Sequence, residues 1–245
     1  NIKIKSPLRF PGGKSRALKQ ILPIIPSFEE YREPMVGGGS VFFALKQQFP
    51  EKIFWINDIN KELFLFWKIC KTNNQDLLGG VIKLKKNYAD GKKLYLKFNG
   101  EIKNLTNLQR AVRFFLLNRI TFSGLAESGG YSDESFKKRF TFSSFDRLEK
   151  ATDILKNVKL TNEDYKRLIE KEGNGVFLFL DPPYLNNGGS KLYGKKGIIH
   201  SSFDHDRLAR EIKKCKHKWL ITYDNSPKVI ELFSFLYQRH NQFLE

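Results

Sequence analysis

Methionine occurs once in this chain of 245 residues, cysteine twice and tryptophan three times. The two cysteines, Cys70 and Cys215, sit inside helix-like segments and outside any paired Cys/His array, so reduced thiols and no structural metal are expected. His200, His205, His217 and His240 show no metal-ligand spacing and read as structural or surface residues. No stretch approaches the ~18 consecutive apolar residues that a membrane-crossing helix needs. The opening Asn1-Ile-Lys-Ile-Lys lacks the apolar core of a signal peptide, and a soluble, cytoplasmic chain without a membrane partner is expected. Internal repeats of the solenoid kind are absent. Acidic side chains are scarce relative to basic ones: 26 Asp and Glu against 43 Lys and Arg leave a net charge of +17. That excess favours a polyanionic partner, nucleic acid first. With Asn1 where a methionine would start the chain, and no terminator evident at Glu245, a tail or internal pieces of the protein are expected to lie outside the sequence.

What is present reads as a globular α/β protein. Hydrophobic residues make up 40% of the chain, enough for one good core with a second module attached. Helix-like spacing covers Ser15 to Ile25, Val41 to Gln48 and Lys61 to Lys71, alternating with short strands at Tyr31 to Val36 and Lys52 to Ile56. From about Asp76 to Leu160 the texture changes to lysine-rich helical segments around a polar, glycine-bearing stretch, Thr121 to Ser144. Alternation resumes with a strand at Val176 to Leu180, a helix at Asp204 to Lys214, a strand at Trp219 to Tyr223 and a helix at Lys228 to Leu236. The expected organisation is an α/β domain in two parts, 1–75 and 161–245, split by a mainly helical insert over 76–160.

Val176-Phe177-Leu178-Phe179-Leu180 runs straight into Asp181-Pro182-Pro183-Tyr184. Proline cannot donate to a sheet ladder, so this apolar strand must stop there. Ligands of open α/β sheets collect at carboxyl strand ends. Asp181, the Pro182 carbonyl and the Tyr184 ring are thus placed to dock a small planar group, the alternative being a plain strand end with a turn. Earlier, Gly37, Gly38 and Gly39 lie between a strand and a helix, where they let the backbone approach a ligand closely. A dinucleotide fingerprint would need another glycine at Phe42, which argues against a pyrophosphate. Asp58, at the end of the next strand, stands where an acid grips ribose hydroxyls. A ribose-bearing ligand without a pyrophosphate fits both; a structural turn with a capping acid remains the other reading. Pro11-Gly12-Gly13-Lys14-Ser15 is no P-loop, because Leu8 stands where that motif requires glycine. The segment supplies Lys14 to a ligand site or is a solvated turn.

Four segments in order, Leu8-Arg9-Phe10-Pro11-Gly12-Gly13-Lys14, Glu33-Pro34 through Gly39-Ser40-Val41-Phe42, Asp58 and the Asp181 tetrad, resemble the Dam-type DNA adenine-N6 methyltransferases. Asn118-Arg119, Phe122 and Gly124 resemble the start of that family's DNA-recognition region, and His205 to Ala209 a late helix. The similarity is sparse between Thr72 and Ala111 and slight after Asn225. It implies a Rossmann-like methyltransferase sheet with helices on both faces, an inserted helical DNA-recognition domain, and S-adenosylmethionine as methyl donor. By position, Phe10, Lys14, Asp58 and Asp181 would contact the donor over a floor of Gly37 to Gly39. Met35 stands where the family has Phe, and Phe10 where some members have Trp. Glu127 stands where members that read GATC place a base-contacting arginine; a carboxylate accepts where arginine donates, so that specificity does not transfer.

The implied reaction is methylation of the N6 amino group of an adenine rotated out of double-stranded DNA. Asp181 and the Pro182 carbonyl would accept the amino hydrogens, Pro183 would stiffen the turn, and Tyr184 would stack on the base. Neither a covalent enzyme intermediate nor a metal is expected. Target choice would fall to Asn118, Arg119, Phe122, Ser123 and Glu127, with Lys137, Lys138 and Arg139 on phosphates, the triplet's alternative being a solvated face. Phe136, Phe140 and Phe142 are expected in the core. A monomer is expected, with a cognate restriction endonuclease as a candidate partner. Cytosine-N4 or RNA adenine methylation, and a non-catalytic DNA-binding module with a methyltransferase fold, are the competing readings.

Overall fold

Val176–Leu180 is apolar at every position, the pattern of a strand covered on both faces, and it is buried throughout. In the computed structural model, which describes residues 4–100, 102–185 and 203–236, this strand is β4 of a five-stranded sheet. The others are β1 (Glu30–Glu33), β2 (Ile53–Asn57), β3 (Val158–Thr161) and β5 (Lys218–Ile221), in the order β3-β2-β1-β4-β5. All neighbours are parallel, and Glu30 lies opposite both Ile53 and Val176. Strand order reverses direction between β1 and β4, which opens a crevice at their carboxyl ends. This is a Rossmann-like sheet.

Alternation along β4 divides the core in two. Phe177 and Phe179 enter a large cluster with Tyr31, Phe54 and Ile56, whereas Val176, Leu178 and Leu180 face a second one. Over the first face lie α2 (Ser40–Gln48) and α3 (Lys61–Thr72), following the short α1 (Leu18–Ile21). Beyond α3 come α4 (Asn74–Asn87), α5 (Gly91–Phe98), α6 (Asn107–Ile120), α7 (Asp133–Arg139) and α8 (Phe142–Leu155). The second face is covered by α9 (Lys166–Glu170), α10 (His205–Lys214) and α11 (Pro227–Leu232), through Ile169, Leu208, Ile212 and the nearby Phe233. Helices on both faces of a parallel sheet are the doubly wound arrangement that the resemblance implies. Among the described residues no helix is long and apolar enough to cross a membrane.

Several boundaries differ from the sequence reading. The helix expected over Ser15 to Ile25 is three short pieces, Lys14–Arg16, Leu18–Ile21 and Leu22–Ile24. Pro23 lies in the middle and supplies no amide to continue a ladder. β1 stops at Glu33 rather than Val36 because Pro34 follows. β3 was not expected; it begins at Val158 within the range 76–160 and pairs with β2, so the last residues of that range belong to the sheet. The helices α4, α6 and α8 pack on α3, with α5 and α7 against α6, and Leu77, Val81, Phe115 and Leu148 join the same cluster as Tyr31 and Phe54. They thicken one face of the sheet and share its core. Phe136 and Phe140 are buried as expected, but Phe142 is 62% exposed and is corrected to a surface residue. Cys70 is buried and Cys215 half-buried, both as free thiols.

Candidate active site

The turn after β1 is shaped by two glycines. Gly37 and Gly39 have φ of +47° and +66°, a conformation that side chains other than glycine rarely take. A Cβ on Gly37 would fall 2.8 Å from the ring of Phe10, so the close approach made possible here is that of Phe10 onto the turn. At the end of β2, one Asp58 oxygen accepts from the Gly37 amide at 2.9 Å and the other from the Asn60 amide at 3.0 Å. Burial pushes the Asp58 carboxyl up to about 6, against the pull of these two bonds and with the help of the Glu127 charge.

Asp181 follows β4 directly. Lys14 Nζ lies 2.5 Å from Oδ1 and 2.6 Å from Oδ2, and the Thr222 hydroxyl donates to Oδ1 at 2.7 Å. Burial pushes this carboxyl up; Lys14 and Thr222 pull it back toward the ionised form. The same Lys14 ammonium donates to the Gly12 carbonyl at 2.7 Å and sits 5.0 Å from the centre of the Tyr184 ring. Tyr184 stacks on Tyr223 at 6.1 Å and 26°, and the Tyr223 hydroxyl lies 2.5 Å from His205 Nδ1. Glu33, at the end of β1, is 3% exposed and accepts a hydrogen bond from the Tyr31 hydroxyl at 2.5 Å. Burial first, and then the Asp181 charge, push Glu33 up to about 8, so it carries a proton at neutral pH.

A cavity of about 390 Å³ connects these groups. Phe10, Lys14, Gly37, Gly38, Gly39 and Asp58 line it, and so do Asp181, Pro182, Pro183 and Tyr184. Residues to which the sequence reading gave no site role share the wall: Glu33, Asn60, Asp164, Tyr165, Phe203 and Arg207. Asp164 and Tyr165 follow β3, and recognising that strand would have placed them at a carboxyl end. The buried Tyr165 hydroxyl finds no hydrogen-bond partner among the described residues. Arg207 pairs with Asp164 through two bonds of 2.9 Å.

The residues expected to read DNA fall into distinct settings. Asn118 and Arg119 are corrections: they are 1% and 2% exposed and tie segments together from inside. Asn118 accepts from the Arg9 amide and donates to the carbonyls of Arg9 and Gly124; Arg119 donates to the carbonyls of Arg139 and Pro7. Phe122 is 61% exposed, and Ser123 beside it holds a φ of +53°. Glu127 accepts from Asn60 Nδ2 at 2.6 Å. Lys137 and Lys138 are exposed on α7 and pair with Asp133 and Glu134 one turn earlier, next to the exposed Arg139. Among the described residues no group of three or more His, Cys, Asp and Glu could hold a metal ion. His217 Nε2 donates to the Lys171 carbonyl at 3.0 Å, and His200 and His240 lie outside the described residues.

Relatives match this chain over most of its length. The chain is 27% identical over 261 aligned residues to the type II methyltransferase M.MjaIII of Methanocaldococcus jannaschii, a match covering 98% of this chain and 90% of that protein. It is 27% identical to the type II methyltransferase M1.LlaDCHI of Lactococcus lactis subsp. cremoris, over 92% and 83% of the two chains. The DNA adenine methylase of Escherichia coli strain K12 is 26% identical over 72% of this chain and 64% of its own. The family model of D12 class N6 adenine-specific DNA methyltransferases matches residues 10–243. With a strand-end Asp-Pro-Pro-Tyr facing a glycine turn across one cavity, and that match over nearly its whole length, the chain belongs to the D12 class N6 adenine-specific DNA methyltransferase family.

Proposed function

We propose that this cavity binds S-adenosylmethionine next to an adenine rotated out of double-stranded DNA, and that Asp181, Pro182, Pro183 and Tyr184 carry out the transfer. One observation carries the reading: every residue expected to hold the donor or the target base lines the same cavity. The residues present fit the donor. Asp58 offers a carboxylate to ribose hydroxyls, and the Tyr165 hydroxyl, without a partner among the described residues, suits a polar ring edge. Gly37, Gly38 and Gly39, with Phe10 packed on the turn, form the floor, and Lys14 reaches in from the side. When bound, the donor supplies a sulfonium methyl open to in-line attack.

The chain's own groups act on the amino nitrogen of the base. Its lone pair is delocalised into the purine, and two fixed acceptors draw it back toward a tetrahedral nucleophile. Asp181 serves as one acceptor because Lys14 and Thr222 favour its ionised form despite burial. The Pro182 carbonyl is the second, and Pro183 prevents the strand from continuing past it. Tyr184, backed by Tyr223 and His205, offers the base a braced ring to stack on.

Target choice is assigned to the helical segment between α3 and β3. Phe122, Ser123 and Glu127 belong to its turn, and Lys137, Lys138 and Arg139 to the phosphate-facing surface. Arg119, buried and bonded to the carbonyls of Arg139 and Pro7, is left out of this surface. The type II designation of two relatives supports a cognate restriction endonuclease as partner, and a DNA substrate supports a cytoplasmic setting. The test is to incubate duplex DNA with the protein and S-adenosylmethionine and sequence the modified bases. Methyl groups on adenine within one recurring sequence are expected; no saturable donor binding would instead favour a non-catalytic DNA-binding module.

A further inference from the structure

Glu127 and Asp58 are separated by most of the helical segment, yet a single side chain joins them. Asn60 Nδ2 donates to Glu127 Oε2 at 2.6 Å, while its Oδ1 accepts from the amides of Glu62 and Leu63 at 2.9 and 3.0 Å and caps α3. Only one orientation of that amide satisfies all three bonds, with oxygen on the helix end and nitrogen on the carboxylate. The Asn60 backbone amide in turn donates to Asp58 Oδ1 at 3.0 Å, and Gly37 holds the other Asp58 oxygen. Asn60 and Asp58 line the cavity; Glu127 stands behind Asn60, on the turn that carries Phe122 and Ser123.

We propose that Glu127 is a positioning residue for the methyl-donor pocket, acting through Asn60 to fix the Asp58 carboxylate, and that the recognition turn and the donor site are thereby coupled. The inference rests on the reading that Asp58 receives the donor ribose. Position 127 therefore requires an acceptor. Arginine, which only donates, cannot replace it without breaking the bond to Asn60 Nδ2. Because the carboxylate belongs to the recognition turn, whatever orders that turn on DNA also orders Asn60, and coupling of this kind is reciprocal between the two ligands. The like charge of Glu127 beside Asp58 is consistent with the same proximity.

Isothermal titration of the protein with S-adenosylmethionine, without DNA, tests the proposal. Glu127→Ala and Glu127→Arg are expected to weaken donor binding roughly three- to tenfold, the effect of one lost hydrogen bond. Glu127→Gln, which keeps an acceptor, is expected to recover most of the affinity. Asn60→Asp retains the helix cap but removes the amide donor, so it is expected to weaken binding alone and to be rescued by Glu127→Gln, whose side-chain amide can donate in the opposite sense. Donor affinity unchanged in Glu127→Ala, with altered DNA preference, would overturn the proposal and leave Glu127 as a base contact. Equal losses in Glu127→Gln and Glu127→Ala, with no rescue in the double variant, would overturn it too. Failure of the unaltered protein to bind the donor at all would instead overturn the reading of the cavity.

Discussion

The ammonium of Lys14 sits 2.5 Å from one oxygen of Asp181 and 2.6 Å from the other. It thus holds the acid expected to polarise the adenine amino group, and it opposes the rise that burial imposes on that acid. Removing Lys14 raises the pH at which Asp181 ionises. Lys14→Met is therefore expected to move the rising, acidic limb of the pH–rate profile for DNA methylation to higher pH. Asp181→Ala should lower turnover by about 10²-fold or more, as removal of a transition-state hydrogen-bond partner does. Both are read from methyl incorporation by protein whose circular dichroism is unchanged.

Tyr184 is braced from behind by Tyr223, so its ring is already fixed when a base arrives. Tyr184→Ala removes stacking of about 1–3 kcal/mol, which corresponds to a roughly 5- to 150-fold weaker hold on the rotated-out base. Fluorescence of 2-aminopurine at the target position reports it. An unchanged signal in the variant would speak against stacking.

Glu33 is pushed up to about 8 by burial from the ordinary carboxyl value of 4.5. The folded chain holds this proton more tightly than the unfolded one. Its contribution is thus fully present below pH 4.5 and declines as pH rises through about 8. Glu33→Gln should lose less stability than the unaltered protein between those limits, as measured by thermal melting at several pH values.

Asp58 titrates near 6 and can accept two ribose hydrogen bonds only when ionised. Donor affinity is expected to fall as pH drops through about 6, and this dependence should vanish in Asp58→Asn, which binds weakly throughout. Calorimetric titrations at several pH values separate the two behaviours.

Asn118 ties the segment at Arg9 to the turn at Gly124 through three bonds, one accepted and two donated. Asn118→Ala leaves buried groups without partners and should cost about 1–3 kcal/mol of folding stability. Its effect on base preference should be slight. Alanine at Lys137, Lys138 and Arg139 should do the reverse: DNA binding weakens with little loss of stability. The slope of log affinity against log salt should become shallower by about one for each phosphate contact removed.

Much of the site could be read from the chain because its motifs are local. An all-apolar strand ending in Asp-Pro-Pro-Tyr, and glycines between a strand and a helix, announce their geometry within a few residues. β3 escaped notice because Val158–Thr161 is only four residues long, and its Val-Lys-Leu-Thr alternation is too short to stand out directly after a helix. With it went Asp164 and Tyr165, whose place in the wall depends on that strand. The resemblance of their segment to a recognition region assigns Asn118 and Arg119 to DNA; burial among the carbonyls of distant segments leaves no mark in the sequence. The support of Tyr184 by Tyr223 and His205 is likewise a product of tertiary packing between β4, β5 and α10.

Glu30 pairs with Val176 on one side and Ile53 on the other. During synthesis the glycine turn and Asp58 therefore emerge long before the strand that completes their half of the sheet. Closing so long a loop is slow and entropically costly. A ribosome-bound chain that ends before Asp181 has the central strand β1 open along one edge and lacks its acid. The acid and the closure of that edge arrive together, so a chain cut short of β4 has neither.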